Sequence, residues 1–372
     1  MVQVWARDPG RIRRGLLTVL DAKCVLRESG VGNWTITIDE NHPGSPRVEA
    51  GWGVVVVEDE QVLFSGPIES IATSQDGQAR ETTLSGVTDM CVLADRLVLP
   101  DPARASDAQT TVAYWARKGP AETLIADLIN LQCGPANPFS TRRTAGLASL
   151  VSQGRGPVSS VNARYSTVLE EVQVLATVGG LVVDVAQAGT DLVPVVRTRA
   201  DRSRSVRFQP GTGLSDYDVA VTSPSTTVVL VAGQGEGTAR KVLFRSQSSG
   251  WGRRVEVFQD RRDTEDNDEL SKAAAETLAE GAESASTTFT VAETADVRFG
   301  THFWLGDTVT VALPGGGEVV DGVRAAEIAW DPHGRTVELT VGAPGTEPLK
   351  TPGVVTRTKK LMRQVRGLET RR

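Results

Sequence analysis

The sequence has few of the residues that bind metals or form disulfides. Its 372 residues include three cysteines and three histidines. Cys24, Cys91 and Cys133 form no Cys-x-x-Cys pair, so neither a zinc ribbon nor a disulfide framework is expected. The histidines lie too far apart in the sequence for a local His-x-x-x-His site. We therefore expect no bound metal.

Long apolar runs are also missing. Runs such as Val228–Ala232 are far shorter than the ~20 residues that span a bilayer. The N-terminal segment MVQVWARDPG lacks the apolar stretch of a secretory signal. We expect neither a membrane segment nor a signal peptide. Aromatic residues make up only 5% of the chain, which is little for a carbohydrate-binding platform.

No motif for catalysis or cofactor binding is complete. The elbow Gly-x-Ser-x-Gly does not occur, because Ser65 and Ser85 lack the preceding glycine. Gly233–Gly237 lacks the Gly-Lys-Ser/Thr of a P-loop and is typical of a turn. Asp260–Glu269 does not match an EF-hand loop and is typical of a capped helix start. The sequence thus predicts no catalytic, cofactor-binding or metal-binding residues, and no enzyme.

Charge is distributed unevenly along the chain. The formal net charge is −6, yet residues 346–372 contain eight Lys/Arg and two Glu, which leaves about −12 for the rest. An acidic body does not resemble a nucleic-acid-binding domain with its basic face. The basic tail is typical of a solvated terminus, and contact with nucleic acid or an acidic protein surface remains open.

The pattern divides the chain into four segments. Residues 1–99 contain short strands in antiparallel succession, such as Trp34–Ile38 with its period of two, and predict a small barrel or sandwich. Residues 100–213 form an α+β middle section after a boundary at Leu99–Pro102. Residues 214–345 return to strands with one helix, and residues 346–372 are the basic tail.

Three helices have recognisable start or stop signals. Pro120 suits the first position of a helix that ends at Gly134. Ser166 or Thr167 begins a second helix, with Glu170 completing a Thr-x-x-Glu capping box. The third helix follows the acidic run before Leu270, where the sequence predicts Asp263 or Thr264 as the N-cap. We expect a hairpin, Leu181–Ala186 with Leu192–Arg197, directly after the second helix.

Two segments repeat one pattern. Residues 53–87 and 307–343 each contain an apolar strand, a polar turn, a strand reaching a glycine and a last strand ending at a glycine. The spacing from Gly66 to Gly86 equals that from Gly322 to Gly342. The repeat predicts two similar β-domains, although any two meanders can be aligned in this way. The expected cores are Trp34, Ile36, Val55, Phe64 and Leu84 in the first, and Val309, Val311, Val323, Ile328 and Leu339 in the second.

A series of landmarks in order resembles a known family. They include VWARDPG, GNWTITID, VLFSGPI, LSGVTDMCVLADRLVLPDP, GPAETLI, ASLVSQGRGP, VAGQGEGTAR, RRVEVFQDRRDTED, AETLAEGAE and RFGTHFWLGDTVTV. Together they cover about residues 2–345 and resemble the siphovirus tail-hub family, the minor tail or baseplate hub proteins of phages that infect actinobacteria.

The resemblance implies a mainly β fold with an α+β insertion. Two similar β-barrel domains would flank a smaller α+β section, and the protein would be a homotrimer at the distal end of the tail. It would link the tail tube to the tip and form part of the DNA passage. The implied partners are the distal tail protein or tail tube, the tape measure protein and other tail-tip proteins, without sequence-specific nucleic acid binding. The location would be the virion tail tip, assembled in the host cytoplasm.

The family implies no catalytic residues, and the alternative is a tail-associated cell-wall hydrolase or glycan-binding module. For contacts between copies we predict oppositely charged groups in one segment. The basic candidates are Arg253, Arg254, Arg261 and Arg262, and the acidic ones are Asp260, Asp263, Glu265 and Asp266.

Overall fold

A computed structural model of the chain contains two spatially distinct units. The structure describes residues 2–39, 46–76, 79–211, 213–262, 264–291, 297–312 and 318–342. The first unit contains Met1–Asp218 and Phe289–Gly342, and the second contains Val219–Thr288.

Strands dominate both units. The strands are β1 (Val2–Arg7), β2 (Arg13–Leu16), β3 (Val19–Arg27), β4 (Gly30–Asp39), β5 (Gly53–Glu58), β6 (Gln61–Asp76), β7 (Ala79–Val87), β8 (Trp115–Pro120), β9 (Val158–Ala163), β10 (Leu181–Ala188), β11 (Asp191–Thr198), β12 (Arg207–Pro210), β13 (Gly213–Thr222), β14 (Val228–Ala232), β15 (Val242–Ser246), β16 (Glu256–Asp260), β17 (Ser284–Val291), β18 (Thr308–Ala312), β19 (Glu318–Asp331) and β20 (Gly334–Gly342). The α-helices are α1 (Cys91–Ala94), α2 (Ala121–Leu128), α3 (Val168–Gly179) and α4 (Asn267–Glu280).

The expected alternation is present in β4. Trp34, Ile36 and Ile38 are buried, whereas the threonines between them are more exposed. This pattern places one face of the strand on the core, because successive side chains of a strand point to opposite faces.

A single sheet joins strands from both ends of the chain. Thirteen strands pair in the order β18-β12-β13-β17-β20-β19-β3-β4-β7-β6-β5-β1-β2, and β18 also pairs with β19. The link is β3, which pairs antiparallel with β4 on one side and with β19 on the other. An ion pair between Lys23 and Glu327 adds to this junction.

The expected core residues are all buried, but they do not form two cores. Nine of the ten belong to one contiguous apolar cluster, and Val55 is buried outside it. The two expected sets are therefore joined in one apolar cluster, and the division into two β-domains stays a prediction. The physical reason is the pairing of β3 with β19, which places the apolar faces of both sets of strands side by side.

The repeated segments have the same strand pairing. β5 pairs with β6 and β6 with β7, as β18 pairs with β19 and β19 with β20, all antiparallel. Their glycines differ in role. A Cβ on Gly66 would lie 1.8 Å from the Val87 carbonyl oxygen, and one on Gly86 would lie 2.6 Å from Trp34. At Gly322 the nearest atom would be 3.5 Å away, so close packing does not require that glycine, whereas Gly342 has a φ of 130° that favours glycine. That the segments superpose stays a prediction.

The middle section has its own core. Thr167 accepts from the backbone of Glu170, whose side chain accepts from the Thr167 backbone, so the predicted capping box is confirmed. Helix α3 ends before Gly180 and leads into the β10–β11 hairpin, which extends the predicted one at its turn. Helix α2 continues as a π-helical turn, Ile129–Cys133, and stops at Gly134. Apolar residues of α2, α3 and these strands form a second cluster.

The second unit is a sheet of order β15-β14-β16 with α4 on one face. Helix α4 begins a few residues later than predicted, at Asn267. Its N-cap is Asp266, whose side chain accepts from the Asp268 backbone at 2.8 Å. The prediction that Thr264 is the N-cap was wrong, because the Thr264 hydroxyl accepts from the Asp266 backbone N–H and forms the turn that precedes the helix. Asp263 lies outside the described residues.

The units and the sequence-based boundaries divide the chain differently. Helix α4 belongs to the second unit, whereas β18, β19 and β20 belong to the first. The division at 99/100, 213/214 and 345/346 follows sequence pattern rather than spatial contact, and it stays a prediction. Residues 346–372 lie outside the described residues.

A buried ion pair holds α2 to the segment before β9. Glu122 is fully buried and accepts from Arg155 through both carboxylate oxygens, at 2.7 and 3.0 Å. Arg155 also donates to the Val196 carbonyl at 2.6 Å. The Arg155 guanidinium hydrogen-bonded to Glu122 lowers the pKa of that carboxyl to about 2.

We expect Glu122→Gln to reduce the free energy of unfolding of the first unit by about 2–3 kcal/mol at pH 7. The native pKa lies below the unfolded value, so the stabilisation is present above about pH 4.5 and is lost as pH falls toward 2. Urea unfolding of both chains at several pH values measures the difference. Glu318→Gln, which removes an exposed pair with Arg207, is the control and should change little. A pH-independent difference between Glu122→Gln and the unaltered chain would contradict this account.

Candidate assembly surfaces

A buried polar network joins β1, the turn after β7, and β10. Arg7 donates to both carboxylate oxygens of Asp89, at 2.6 and 2.7 Å. Both side chains are almost fully buried. The same guanidinium donates to Gln187 in β10 at 2.7 Å. Ser65 donates to Asp89 at 2.6 Å and accepts from the Gln187 backbone at 3.0 Å. The middle section is thus fixed to the N-terminal strands by charge-assisted bonds.

A second ionic junction lies at the β3–β4 turn. Glu28 is nearly buried and pairs with Arg199, after β11, at 2.7 Å. Its other oxygen pairs with Arg324 of β19 at 2.5 Å. Arg324 also donates to the Gly342 carbonyl at 2.9 Å. One carboxylate therefore holds three parts of the first unit together.

An open cavity of about 720 Å³ lies beside Glu58. Its lining includes Arg298, Arg335, His302 and Trp304. Glu58 accepts from the Trp330 indole at 3.0 Å, and Arg335 and Arg298 lie 3.2 and 3.7 Å from its carboxylate. The charged groups of this cavity are thus neutralised by one another, and Glu58 at the end of β5 is a structural anchor for Trp330 of β19 and Arg335 of β20.

A smaller cavity of about 150 Å³ contains one unusual carboxyl. Asp184 lines it together with Arg197 and apolar residues of the N-terminal strands. Desolvation in the cavity raises the pKa of the Asp184 carboxyl, and the Val185 backbone N–H and Arg197 partly oppose that rise, although a large part of the residue is exposed to solvent. Among the described residues, no group of three or more His, Cys, Asp or Glu side chains is placed to hold a metal ion.

The three cysteines are poor nucleophiles in this structure. Burial raises the pKa of the Cys91 and Cys133 thiols to about 12, and it raises that of Cys24 as well. The thiolate is the reactive form, so hardly any is present at neutral pH. The absence of catalytic residues stays a prediction.

The predicted interface charges lie in the second unit, partly paired within the chain. Arg254 pairs with Glu256 at 2.6 Å, and Arg262 pairs with Asp260 at 3.1 Å. Asp260 also pairs with Arg240, a residue that the sequence did not single out. That these charges face a neighbouring copy stays a prediction.

The remaining candidates have other placements. Asp266 caps α4, and the side chains of Arg253 and Glu265 are exposed. Arg261 is partly buried, and its backbone donates to the Ala232 carbonyl at 2.8 Å. Asp263 is outside the described residues.

The second unit exposes an apolar sheet face that the sequence analysis missed. Val242, Phe244 and Phe258 are each more than half exposed. Leu230 lies directly between the two phenylalanines, opposite Phe244 on one side and Phe258 on the other. The strand sequences VLFRS and EVFQD place each phenylalanine on the face opposite its neighbouring leucine or valine, but this alternation alone does not show which face α4 covers.

Family comparison adds an independent finding. A family model described as Siphovirus ReqiPepy6 Gp37-like protein matches residues 1–343. The chain belongs to this family. It is therefore a phage tail protein of the siphovirus type, as the sequence landmarks indicated.

Solved structures of other tail proteins have a similar fold. The 43 kDa tail protein of prophage MuSo2 from Shewanella oneidensis is 13% identical with a TM-score of 0.58, covering 91% of this chain and 97% of that one. A tail protein from Neisseria meningitidis MC58 is 17% identical with a TM-score of 0.56, covering 92% and 97%. Prophage tail protein gp18 from Listeria monocytogenes EGD-e is 11% identical with a TM-score of 0.52, covering 93% and 95%.

At these identities the likeness concerns the fold, which is mainly β with helices in the middle of the chain. No curated protein matches the tail protein. Within the ranges that the structure describes, no helix is long and apolar enough to cross a membrane.

We expect Arg7→Met to destabilise the first unit of the tail protein by about 3–5 kcal/mol, because Asp89 would remain buried without its partner. Asp89→Leu should be similarly harmful, whereas the double variant should lose less than the sum of the two. Denaturant unfolding followed by tryptophan fluorescence measures all three. Arg14→Met, which breaks a half-exposed pair with Asp8, is the control and should have little effect. Additive losses in the double variant would show that the pair is not coupled.

Proposed function

We propose that this tail protein is the hub at the distal end of the tail, where it links the tail tube to the tip and lines part of the DNA passage. The observation that carries the proposal is that β3 pairs with β4 of the N-terminal strands on one side and with β19 of the C-terminal strands on the other. Each set of strands supports closure into a small barrel, as expected of a hub with two barrels in each chain.

The C-terminal set supports one barrel. β18 pairs with β12 on one side and with β19 on the other. The order β18-β12-β13-β17-β20-β19, together with the pairing of β18 with β19, supports closure of this set.

The N-terminal set supports the other barrel. β2 pairs with β1, and β2 runs into β3 with only Leu17 and Thr18 between them. Leu17 donates to the Val4 carbonyl at 2.8 Å, and Asp39 donates to the Thr18 carbonyl at 3.0 Å. These bonds continue the pairing from β1 through the β2–β3 segment to β4.

Two barrels in each chain set the number of copies. Three chains supply six barrels, which match a six-position ring of a tail tube or distal tail protein. Closed rings of identical chains form through repeated head-to-tail contacts. The proposed partners are therefore two further copies, the distal tail protein or tail tube, the tape measure protein and other tail-tip proteins, and the proposed location is the tail tip.

We expect electron cryomicroscopy of assembled tails to show three copies of this protein around the axis. The reason is that two barrels from each of three chains fill six positions. The copy number in the purified tails, measured by quantitative mass spectrometry against the tube protein, provides a second reading. A ring of six copies, or a position away from the tip, would overturn the hub assignment.

The alternative function is a cell-wall hydrolase or glycan-binding module of the tail. We expect the purified protein to release no soluble fragments from cell walls, because no nucleophile–base pair was found in the sequence. Reducing-end and free-amine assays on purified peptidoglycan measure release, and a known muramidase serves as positive control. Turnover that disappears when a single carboxylate is replaced would establish the alternative.

A further inference from the structure

The two layers of the second unit differ in charge. Residues 228–262, which include β14, β15 and β16, contain seven Arg/Lys and three Asp/Glu. Residues 264–283, which include α4, contain seven Asp/Glu and one Lys. The sheet layer is therefore basic and the helix layer acidic.

The exposed face of the sheet is apolar at its centre and has two arginines at its rim. Arg254 is paired with Glu256 and Arg240 with Asp260. The guanidinium carbon of Arg254 lies 5.7 Å from the Phe244 ring centre, and that of Arg240 lies 5.8 Å from the Phe258 ring centre. This face, formed by Leu230, Val242, Phe244 and Phe258 with the two arginines, is called the aromatic face below. Exposed aromatic residues beside arginine are typical of the central residues of protein interfaces.

The outer face of α4 is complementary to the aromatic face. Ala275 and Ala279 are exposed one helical turn apart, with Glu276 and Glu280 beside them. Small side chains leave room for aromatic rings, and the two glutamates match the arginines in charge. Lys272 lies 4.0 Å from Glu276 and is the single basic residue of residues 264–283, so the helix layer remains strongly acidic.

These two surfaces lie on opposite sides of the second unit. Leu270, Ala274 and Leu278 of α4 pack on Val229 and Val231, whose side chains point away from Leu230. The aromatic face therefore cannot reach α4 of its own chain.

We propose that the aromatic face of one copy binds the outer face of α4 in the next copy. The contact is heterologous, so each copy offers one partner surface on each side and a ring closes after a fixed number of copies. This inference rests on the proposed hub function for the number of copies, but the contact itself is independent of that number. In this contact the apolar residues of the aromatic face pack between two copies. The ion pairs of the arginine-rich segment lie at the rim of the contact.

Cross-linking in assembled tails tests the contact. Val242→Cys lies at the edge of the aromatic face and leaves both phenylalanines in place, and Ala275→Cys lies on α4. We expect tails that contain the double variant to yield covalent trimers on mild oxidation, seen on non-reducing gels. Tails with either single variant should give only the background of the unaltered chain, whose thiols have raised pKa values. The double variant Val242→Cys/Val174→Cys is the matched control, because Val174 is an exposed valine on α3.

Replacement of an aromatic side chain provides a second test, which measures the yield of the covalent trimer. Phe258→Ser, added to the cross-linking pair, should reduce the covalent trimer at least fivefold. Val174→Ser, added to the same pair, should leave the yield unchanged. Circular dichroism of the purified variants verifies that each one folds.

Each outcome separates this contact from the hub assignment. Threefold tails without cross-links from the double variant overturn the contact and leave the hub intact. Cross-linked species longer than three copies support the contact and overturn the threefold ring. Cross-links formed by a single variant with itself indicate a symmetric contact, and cross-links to a different tail protein indicate another occupant. Either of these two results overturns the proposal.

Discussion

The buried pair of Arg7 and Asp89 determines how the first unit is held together. A charged pair with almost no access to water is stable only when its hydrogen-bonding capacity is met, and here Ser65 and Gln187 provide the additional bonds. Gln187 belongs to the middle section, whereas Arg7 and Ser65 lie in N-terminal strands and Asp89 lies in the turn after β7. The helices and hairpin of residues 115–198 are thus positioned by a polar contact whose failure would leave an unpaired charge in the interior.

Glu28 repeats this principle at the other end of the section. It draws Arg199, just after the β10–β11 hairpin, and Arg324, on the β-strand that pairs with β3, to one carboxylate. The Arg7 and Glu28 networks bracket the hairpin. They give the α+β section two fixed points on the sheet.

Local features of the fold were predictable from the sequence, and long-range ones were not. The capping box at Thr167 and the alternation around Trp34 depend on residues within a few positions of each other. The start of α4 was predicted a few residues too early, because Thr264 and Asp266 are both acceptable caps and a local turn decided between them. The merging of two expected cores depends on β3 and β19, which are about 300 residues apart, and no local pattern indicates that pairing.

The assembly surfaces were predictable only in part. The charged residues at 253–266 were identified from the sequence, but several of them pair within the chain. Arg240, which pairs with Asp260, lies outside that segment and was not identified. Phe244 and Phe258 were not singled out from the sequence, since a period-two pattern does not say which face of a thin sheet is covered. Only the position of α4 shows that their face is the open one.

The two-sided position of β3 has a consequence for synthesis of the protein on the ribosome. Val25 pairs with Asn33 within a short distance along the chain, but its other neighbour, Glu327, is translated about 300 residues later. Until then, one edge of the N-terminal strands has unsatisfied backbone groups and can pair with another nascent chain. Contacts so distant in sequence also slow folding. The N-terminal part of this tail protein therefore completes its sheet only after β19 has been translated, and until then its open edge is exposed to misassembly with other nascent chains.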